Sequence, residues 1–448
     1  MTSHLDIHDL TNASKRPRIS CALIVALLSF VAWDVAFTLL RPEFVGDERH
    51  HVPAIEDAAH GDWTKVLRLP MPPTYHWLAV QATRAVGPEL WSLRAFQTLW
   101  TLLAIVLYHA AARAYRPDYS GRDLLRFAWH PLIIAFGALV CTDIASLVAI
   151  LLTLNFHIRR RYILGSLALA AAIMFRQSNI MWAAYFLTWA LAEDWLKAGS
   201  AATTKQHTPR LNVSAAKIFR EPAWPIVVAR LRAGAWAYLA VFLLGGVAVT
   251  LAGRGVLLAQ AMSNRAAFNP AVFYLLAIAV ALLWLPAWLA RFAEFWSQRY
   301  VPALMWIRVT ATVVAAIGVV AMEFRNPHPW NMDLDFPHNW PLYAMNQFSS
   351  ARAAIATVLV AFVITYFLDA ARSPARRMLA LTWIFTIAFL LPHNLADLRY
   401  YIIPLVLLDF LTPRGATEGR VLAAWHLVLS LAIAGVLALK LGGIEGML

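Results

Sequence analysis

Long apolar runs separated by short basic segments recur along the whole chain, and this pattern restricts the fold more than any other feature. The first run, Cys21–Leu40, directly follows the basic run Lys15–Arg18 and is long enough to cross a bilayer as a helix. A soluble domain of 448 residues would carry far more than 14% charged residues. We therefore predict an all-α polytopic membrane protein.

The basic segments indicate how the chain is oriented. The positive-inside rule places the N-terminal tail, residues 1–19, in the cytosol. Later basic segments are separated from one another by enough apolar sequence for two spans, so all of them can be cytosolic. They are Arg113–Arg126, Arg159–Arg161, Lys197–Arg232, Arg291–Arg299, Arg372–Arg377 and Arg414–Arg420. This alternation predicts about thirteen spans. It also explains the net charge of +13 without a nucleic acid as partner.

A single transmembrane domain over residues 20–448 follows from this topology. Its first outer loop, residues 41–91, is rich in proline and long enough to hold short interfacial helices. A basic loop over residues 197–232 faces the cytosol. The lipid bilayer is the first partner that the sequence implies.

Unusual polar clusters fall in the outer turns of this topology. Polar groups beside hydrocarbon have to be hydrated, paired or functional, so these turns are the candidate site. The first outer loop opens with the adjacent carboxylates of Asp47 and Glu48. The other polar residues of interest are His51, Tyr75, Asp143, Arg176, Gln177, Asn179, His328, Asp335, His338, Arg399 and Tyr400.

Each cluster also has an ordinary structural explanation. Asp47 and Glu48 can be hydrated loop carboxylates, and Arg176 can anchor a helix end in the headgroups. Asp143, with the threonine before it, can cap a helix N-terminus. The segment Arg325–His338 can be a solvated loop. We expect no metal, because the chain has no His-Glu-x-x-His motif and adjacent histidines are poor ligands on a regular element.

Taken in order, these motifs resemble the dolichyl-phosphoglucose-dependent α-1,2-glucosyltransferase family. Its members add the last glucose to the lipid-linked oligosaccharide of N-glycosylation. The run Asp47-Glu48-x-x-His51-x-Pro53 resembles the start of the family's first luminal loop. Phe175–Trp182 is similar to the family's Phe-Arg-Gln-Thr-Asn-Ile-x-Trp motif, and Arg399–Pro404 to its Arg-Tyr-Phe-Ile-x-Pro run.

The resemblance implies a GT-C glycosyltransferase fold, a bundle of membrane helices with its site at the luminal or periplasmic face. It implies inverting transfer of a hexose, glucose in α-1,2 linkage, from a polyprenyl (dolichyl) phosphate sugar to a lipid-linked oligosaccharide. The membrane would be the endoplasmic reticulum of a eukaryote or the inner membrane of a bacterium. The segment after His328-Pro329 departs from the family pattern, because Asp335-Phe336-Pro337-His338 lacks the Asn-Arg pair of the family's Asp-Asn-Arg-His. A divergent member with another polyprenyl-phosphate sugar therefore stays open.

Such a transfer needs a carboxylate that takes the acceptor's proton as its hydroxyl attacks the anomeric carbon. Asp47 and Glu48 are both candidates for this catalytic base. The leaving group is a lipid phosphate, and guanidinium groups bind phosphate through paired hydrogen bonds. The candidate phosphate partners are Arg176, Arg399 and His328. The candidate substrate-binding residues are His51, Tyr75, Asp143, Gln177, Asn179, Asp335, His338 and Tyr400.

Other function classes stay open at this stage. A different GT-C enzyme, such as an undecaprenyl-phosphate sugar-dependent transferase or a protein O-mannosyltransferase-like protein, shares the same chemistry at the outer face. A lipid flippase or sugar transporter predicts charges deep within the spans and repeat symmetry, and the sequence shows neither clearly. A non-catalytic scaffold would leave the polar clusters without a role. We expect no cofactor in any of these enzymes.

Overall fold

The computed structural model describes residues 20–116, 118–201, 224–253, 268–297, 310, 340–373, 375–393, 395–412 and 414–439. Within these ranges all regular structure is helical and no strand occurs. The predicted all-α class is therefore confirmed. The helices are α1 (Cys21–Leu40), α2 (Glu48–Ala59), α3 (Thr64–Arg68), α4 (Thr74–Thr83), α5 (Leu90–Tyr115), α6 (Gly121–Ala128), α7 (Pro131–Gly137), α8 (Thr142–Ile158), α9 (Tyr162–Phe175), α10 (Ile180–Ala201), α11 (Trp224–Arg230), α12 (Trp236–Gly253), α13 (Pro270–Leu283), α14 (Leu285–Ser297), α15 (Trp340–Gln347), α16 (Ser349–Arg372), α17 (Arg376–Leu390), α18 (Ile402–Leu411) and α19 (Ala416–Leu439).

Several of these helices have the length and composition of membrane spans. In the described part of the chain 4 helices qualify, and the bent pair α13 and α14 raises the number to 5 if it is one span. The shorter apolar helices are Thr142–Ile158, Tyr162–Phe175 and Ser349–Val363. The protein is thus a multi-pass membrane protein. The predicted count of about thirteen spans is not confirmed.

Helix α8 occupies the centre of the bundle, packed between α5 and α9. Most of its residues are buried, including the polar Thr142, Asp143 and Ser146. An apolar helix can also face lipid, but buried polar side chains such as these need protein partners around them. Because α8 is central, the carboxylate of Asp143 in its first turn lies inside the bundle rather than at its rim.

The first outer loop crosses one end of this bundle, where α1 stops and α5 and α8 begin; we call it the motif end. The loop contains α2, α3 and α4, so the short helices expected from its proline-rich sequence are present. Gly46 has φ +55° in the turn before α2, in the left-handed region that glycine adopts without strain. This turn delivers Asp47 to the N-cap of α2 and Glu48 to its first turn.

Helix also covers both ends of the segment predicted as a basic loop at residues 197–232. Helix α10 extends into it as far as Ala201, and α11 begins inside it at Trp224. A π-helical turn, Leu231–Ala235, then joins α11 to α12.

A buried ion network joins the helices at the opposite end of the bundle. Arg126 on α6 donates from Nε to Asp409 on α18 at 3.0 Å and lies 3.3 Å from Asp123. His426 on α19 lies 3.1 Å from the carbonyl oxygen of Arg126. Buried charges are tolerated only when they are paired, so this network fixes how α6, α18 and α19 pack.

Candidate active site at the motif end

The carboxylate of Asp47 forms an ion pair with the guanidinium of Arg399. Arg399 lies in the 3-10 turn Leu398–Tyr401, directly before α18. The Asp47 side chain is 31% exposed and that of Arg399 13% exposed, so the pair is open to a ligand on the carboxylate side. A small pocket beside the pair is lined by Asp47, Glu48, Phe136, Leu139, Val140, Cys141 and Arg399.

A second carboxylate, that of Asp397, also lies against Arg399. Asp397 Oδ1 accepts a hydrogen bond from the backbone N–H of Arg399 at 3.1 Å and so caps the 3-10 turn. Its Oδ2 forms an ion pair with Arg399 Nε at 2.7 Å that does not have hydrogen-bond geometry. Among the described residues this buried N–H therefore forms an ion pair but no hydrogen bond. Burial raises the pKa of Asp397 to about 6, against the opposing effects of the Arg399 N–H and the Arg176 charge.

Arg176 approaches the same place from another part of the chain. It lies between α9 and the 3-10 turn Gln177–Asn179 and forms an ion pair with Asp143. Its guanidinium carbon lies 5.1 Å from the centre of the Tyr400 ring, and that of Arg399 lies 5.6 Å from the same ring. The structure thus brings two guanidinium groups, distant in sequence, to one aromatic side chain, where the ring quadrupole favours cations.

Glu48, the neighbour of Asp47, has a different environment. Its side chain is fully buried, and each carboxylate oxygen accepts two hydrogen bonds. Oε1 accepts from Arg94 Nε at 3.0 Å and from the backbone N–H of Val140 at 3.1 Å. Oε2 accepts from Arg94 Nη2 at 2.6 Å and from the backbone N–H of Val45 at 3.0 Å. All four acceptor positions of this carboxylate are occupied within the protein.

Arg94, on the first turns of α5, holds this part of the chain together. Besides its bidentate pair with Glu48, it donates to the carbonyl oxygens of Arg41 and Glu43. Its guanidinium also lies 4.6 Å from the centre of the Phe37 ring. The Arg94–Glu48 pair therefore connects the end of α1, the loop before α2, the start of α5 and the segment that leads into α8.

The sequence did not identify Arg94 as a site residue. An arginine at the start of an apolar helix has an ordinary role as a headgroup anchor. Only the fold shows that Arg94 is fully buried and faces a carboxylate.

The histidine of the first motif pairs with a second histidine that was also not predicted. His51 Nδ1 lies 2.9 Å from His76 Nε2, and the two rings stack with centres 5.1 Å apart. Burial lowers the pKa of His76 to about 4, and burial together with the His76 charge lowers the pKa of His51 well below its usual range. Both rings are neutral at pH 7, so one N–H can donate to the other ring. Tyr75, next to His76, donates to Gln97 Oε1 at 2.7 Å.

The amides that follow Arg176 brace its turn. Gln177 Nε2 donates to the carbonyl oxygen of Pro70 in the first outer loop at 3.0 Å. Asn179 is buried, and its Nδ2 donates to Ser146 Oγ at 2.5 Å and to the carbonyl oxygen of Ala172 at 2.7 Å. Both amides therefore connect the turn to its surroundings and hold Arg176 in place.

Three predicted site residues, His328, Asp335 and His338, lie outside the described residues, and their roles stay predictions. In the described ranges no group of three or more His, Cys, Asp or Glu side chains is arranged to hold a metal ion.

Solved structures with a related shape include ArnT from Cupriavidus metallidurans, bound to undecaprenyl phosphate and in the apo state. The bound form has a TM-score of 0.41 and 16% identity and covers 93% of this chain and 77% of that one. The apo form has a TM-score of 0.40 and 15% identity, with 93% and 76% covered.

Two curated relatives carry one name, Dol-P-Glc:Glc(2)Man(9)GlcNAc(2)-PP-Dol alpha-1,2-glucosyltransferase. The protein from Arabidopsis thaliana is 27% identical over 186 residues, which are 37% of this chain and 36% of that protein. The protein from Gibberella zeae is 24% identical over 212 residues, 39% of this chain and 29% of that protein. The matches thus span about a third of the length of these relatives.

A family model gives much wider coverage. The DIE2/ALG10 family matches this sequence over residues 15–410. That range includes Asp47, Glu48, Arg94, Arg176 and Arg399, the charged residues that form the motif end. The match covers more than half of the chain, and the chain belongs to the DIE2/ALG10 family.

Proposed function

We propose that this protein is a membrane glycosyltransferase that transfers a hexose from a polyprenyl-phosphate sugar to a lipid-linked oligosaccharide. The names of the two curated relatives favour dolichyl-phosphate glucose as donor and an α-1,2 linkage as product. The membrane is that of the endoplasmic reticulum in a eukaryote or the inner membrane in a bacterium. The site faces the lumen or the periplasm, because the basic segments alternate with the motif turns.

The observation that carries this proposal is the joint position of Asp47, Arg399 and Arg176. A partly exposed carboxylate lies beside two guanidinium groups that share the Tyr400 ring. Inverting transfer from a phosphate-linked sugar needs these two elements, a carboxylate base and cationic groups for the departing phosphate. A lipid flippase needs the cations but has no use for the base.

Asp47 fits the role of base better than Glu48. A base has to receive the acceptor's proton within hydrogen-bond reach. Glu48 is buried, and its oxygens are saturated by Arg94 and two backbone N–H groups. Asp47 is partly exposed and lines the pocket.

The chemical step is a single displacement. The acceptor hydroxyl oxygen bonds to the anomeric carbon, and its proton passes to Asp47. The bond from the anomeric carbon to the phosphate oxygen breaks, and the electron pair leaves with the lipid phosphate. Arg176 and Arg399 stabilise the negative charge that develops on that oxygen.

The test is hexose transfer by the purified protein in liposomes that contain an oligosaccharide-pyrophosphate lipid. Dolichyl-phosphate glucose, dolichyl-phosphate mannose and undecaprenyl-phosphate glucose are offered separately, and the acceptor lipid is analysed by mass spectrometry. We expect a gain of one hexose with the glucose donor. Movement of the donor lipid across the bilayer without any gain in acceptor mass would contradict the proposal and favour a transporter.

A further inference from the structure

The ion pair between Asp47 and Arg399 conflicts with the geometry of the reaction in which both residues act. In a single displacement the base and the leaving oxygen lie on opposite faces of the sugar ring. In inverting glycosidases, which use the same arrangement, the two carboxyl groups are roughly 6.5–9.5 Å apart. A base in direct contact with the guanidinium that binds the leaving phosphate leaves no room for the sugar between them.

The charges of the site also indicate that Asp47 and the phosphate compete for Arg399. Three carboxylates, those of Asp47, Asp143 and Asp397, contact the two guanidinium groups of Arg176 and Arg399. Glu48 is balanced separately by Arg94. The part of the site that the structure describes is therefore net negative before any ligand enters. A lipid phosphate adds another negative charge and competes with these carboxylates for the two guanidinium groups.

We propose that the phosphate of the polyprenyl lipid displaces Asp47 from Arg399, so that this guanidinium binds the base in the empty site and the phosphate in the loaded one. This inference rests on the proposed function. Arg399 is then the one cation that the Asp47 carboxylate and the lipid phosphate bind in turn. It also makes the base available only after the donor has bound.

The contacts identify Asp47 as the carboxylate that leaves. Asp397 is the less exposed of the two partners of Arg399, at 13% against 31% for Asp47. Asp397 is also fixed by the backbone N–H at 3.1 Å. Asp47 is held on Arg399 by its ion pair at the end of a short side chain. Arg399 Nε lies 2.7 Å from Asp397 Oδ2 without hydrogen-bond geometry, so it can donate to a phosphate oxygen that arrives.

The exchange of Asp47 and phosphate on Arg399 also determines when the product phosphate leaves in the catalytic cycle. Once Asp47 has taken the acceptor's proton it is neutral and no longer competes for Arg399, so the product phosphate stays bound. When Asp47, which is partly exposed, passes that proton to water, its negative charge returns. The carboxylate then competes for Arg399 again and promotes release of the lipid phosphate.

The experiment measures binding of dolichyl phosphate to the protein in lipid nanodiscs, with uncharged dolichol as the comparison lipid. Asp47→Asn removes the competing charge and keeps the side-chain size. We expect it to bind dolichyl phosphate roughly 3- to 10-fold more tightly than the parent protein, which corresponds to about 0.6–1.4 kcal/mol. The same variant loses turnover, so affinity and rate move in opposite directions.

The matched control is Asp57→Asn. Asp57 lies in the same outer loop and pairs with Lys65 at 2.7 Å, away from Arg399. We expect this variant to bind dolichyl phosphate as the parent does.

A double-mutant cycle separates displacement from a general effect of charge. In an Arg399→Gln background the gain from Asp47→Asn should disappear, because the shared cation is gone. A gain that persists in that background overturns displacement and assigns the effect to long-range electrostatics. Unchanged or weaker binding by Asp47→Asn, with the parent binding normally, also overturns it and leaves the proposed function standing. If no variant, parent included, prefers dolichyl phosphate over dolichol, the phosphate site itself is wrong.

Discussion

Asp47 and Glu48 are adjacent in the chain and have opposite environments. Glu48 points into the protein, where Arg94 and two backbone N–H groups saturate it. Asp47 precedes α2 and reaches Arg399 at the pocket. A buried and saturated carboxylate stabilises structure, whereas a partly exposed one can exchange partners and protons. The two residues should therefore respond differently to loss of charge.

We expect Asp47→Asn to fold normally and to lower kcat by roughly 10²–10⁴-fold, because the amide cannot accept the acceptor's proton. Glu48→Gln should instead destabilise the protein by about 3–5 kcal/mol, because it leaves Arg94 buried without a counter-charge. Thermal unfolding in detergent and steady-state transfer rates distinguish the two effects. A Glu48→Gln protein that is fully stable but inactive would show that Glu48 is the base.

At the phosphate site we expect Arg176→Lys and Arg399→Lys each to lose on the order of 2–4 kcal/mol of transition-state stabilisation. Lysine keeps the charge but loses the paired hydrogen bonds of the guanidinium. The measurement is kcat/KM for the donor lipid. Values equal to those of the parent for both variants would make these arginines headgroup anchors.

At the scale of elements, the His51–His76 contact holds α2 against α4. Both rings are buried and neutral in the fold, with pKa values below that of an exposed histidine, and for His76 the value is about 4. The unfolded chain protonates its histidines near pH 6.5. Between those two values the unfolded state binds more protons, so stability is complete above pH 6.5 and is lost as the pH falls towards 4.

We therefore expect the Tm to fall on acidification from pH 7 to about 4.5 and the slope to be smaller in His76→Asn, which has one titrating ring fewer. Asp397, whose pKa is raised to about 6, acts in the opposite direction, because its folded form binds a proton more readily than its unfolded form does. Asp397→Asn should for that reason steepen the loss of stability at acid pH. Equal slopes in all three proteins would contradict this assignment of charge states.

These elements also show how much of the site the sequence could predict. The motif Phe175–Trp182 identified Arg176 because a short sequence pattern carries that information. Arg94 and His76 were missed because their roles depend on burial against residues from other helices. Asn179 was predicted to bind substrate, and that role stays a prediction. The sequence could not show that its amide N–H groups donate inside the bundle, because this depends on the packing of α8 and α9. The all-α class followed from hydrophobicity alone, whereas short helices such as α9, with 14 residues, make a count of spans unreliable.

At the scale of the whole molecule, the fold predicts which residues share a membrane face. Between Asp62 and Arg161 the chain runs along α5, returns to the motif end at Val140, beside Glu48, and leaves again along α8. Both positions are exposed. Cysteines placed there, in a protein without Cys21 and Cys141, should react with a membrane-impermeant maleimide from opposite sides of sealed vesicles. Labelling of both from one side would contradict the topology.

In the proposed reaction a single displacement occurs, Asp47 acts as base and the arginines bind the departing phosphate. Its stereochemistry is the most direct test. A donor of known anomeric configuration is offered to the reconstituted protein, and the new glycosidic bond is analysed by NMR. We expect inversion at the anomeric carbon, because one attack occurs on the face opposite the phosphate. A product that retains the donor's configuration would require two displacements or an attack from the side of the phosphate, and either would contradict the assignment of Asp47 as the base.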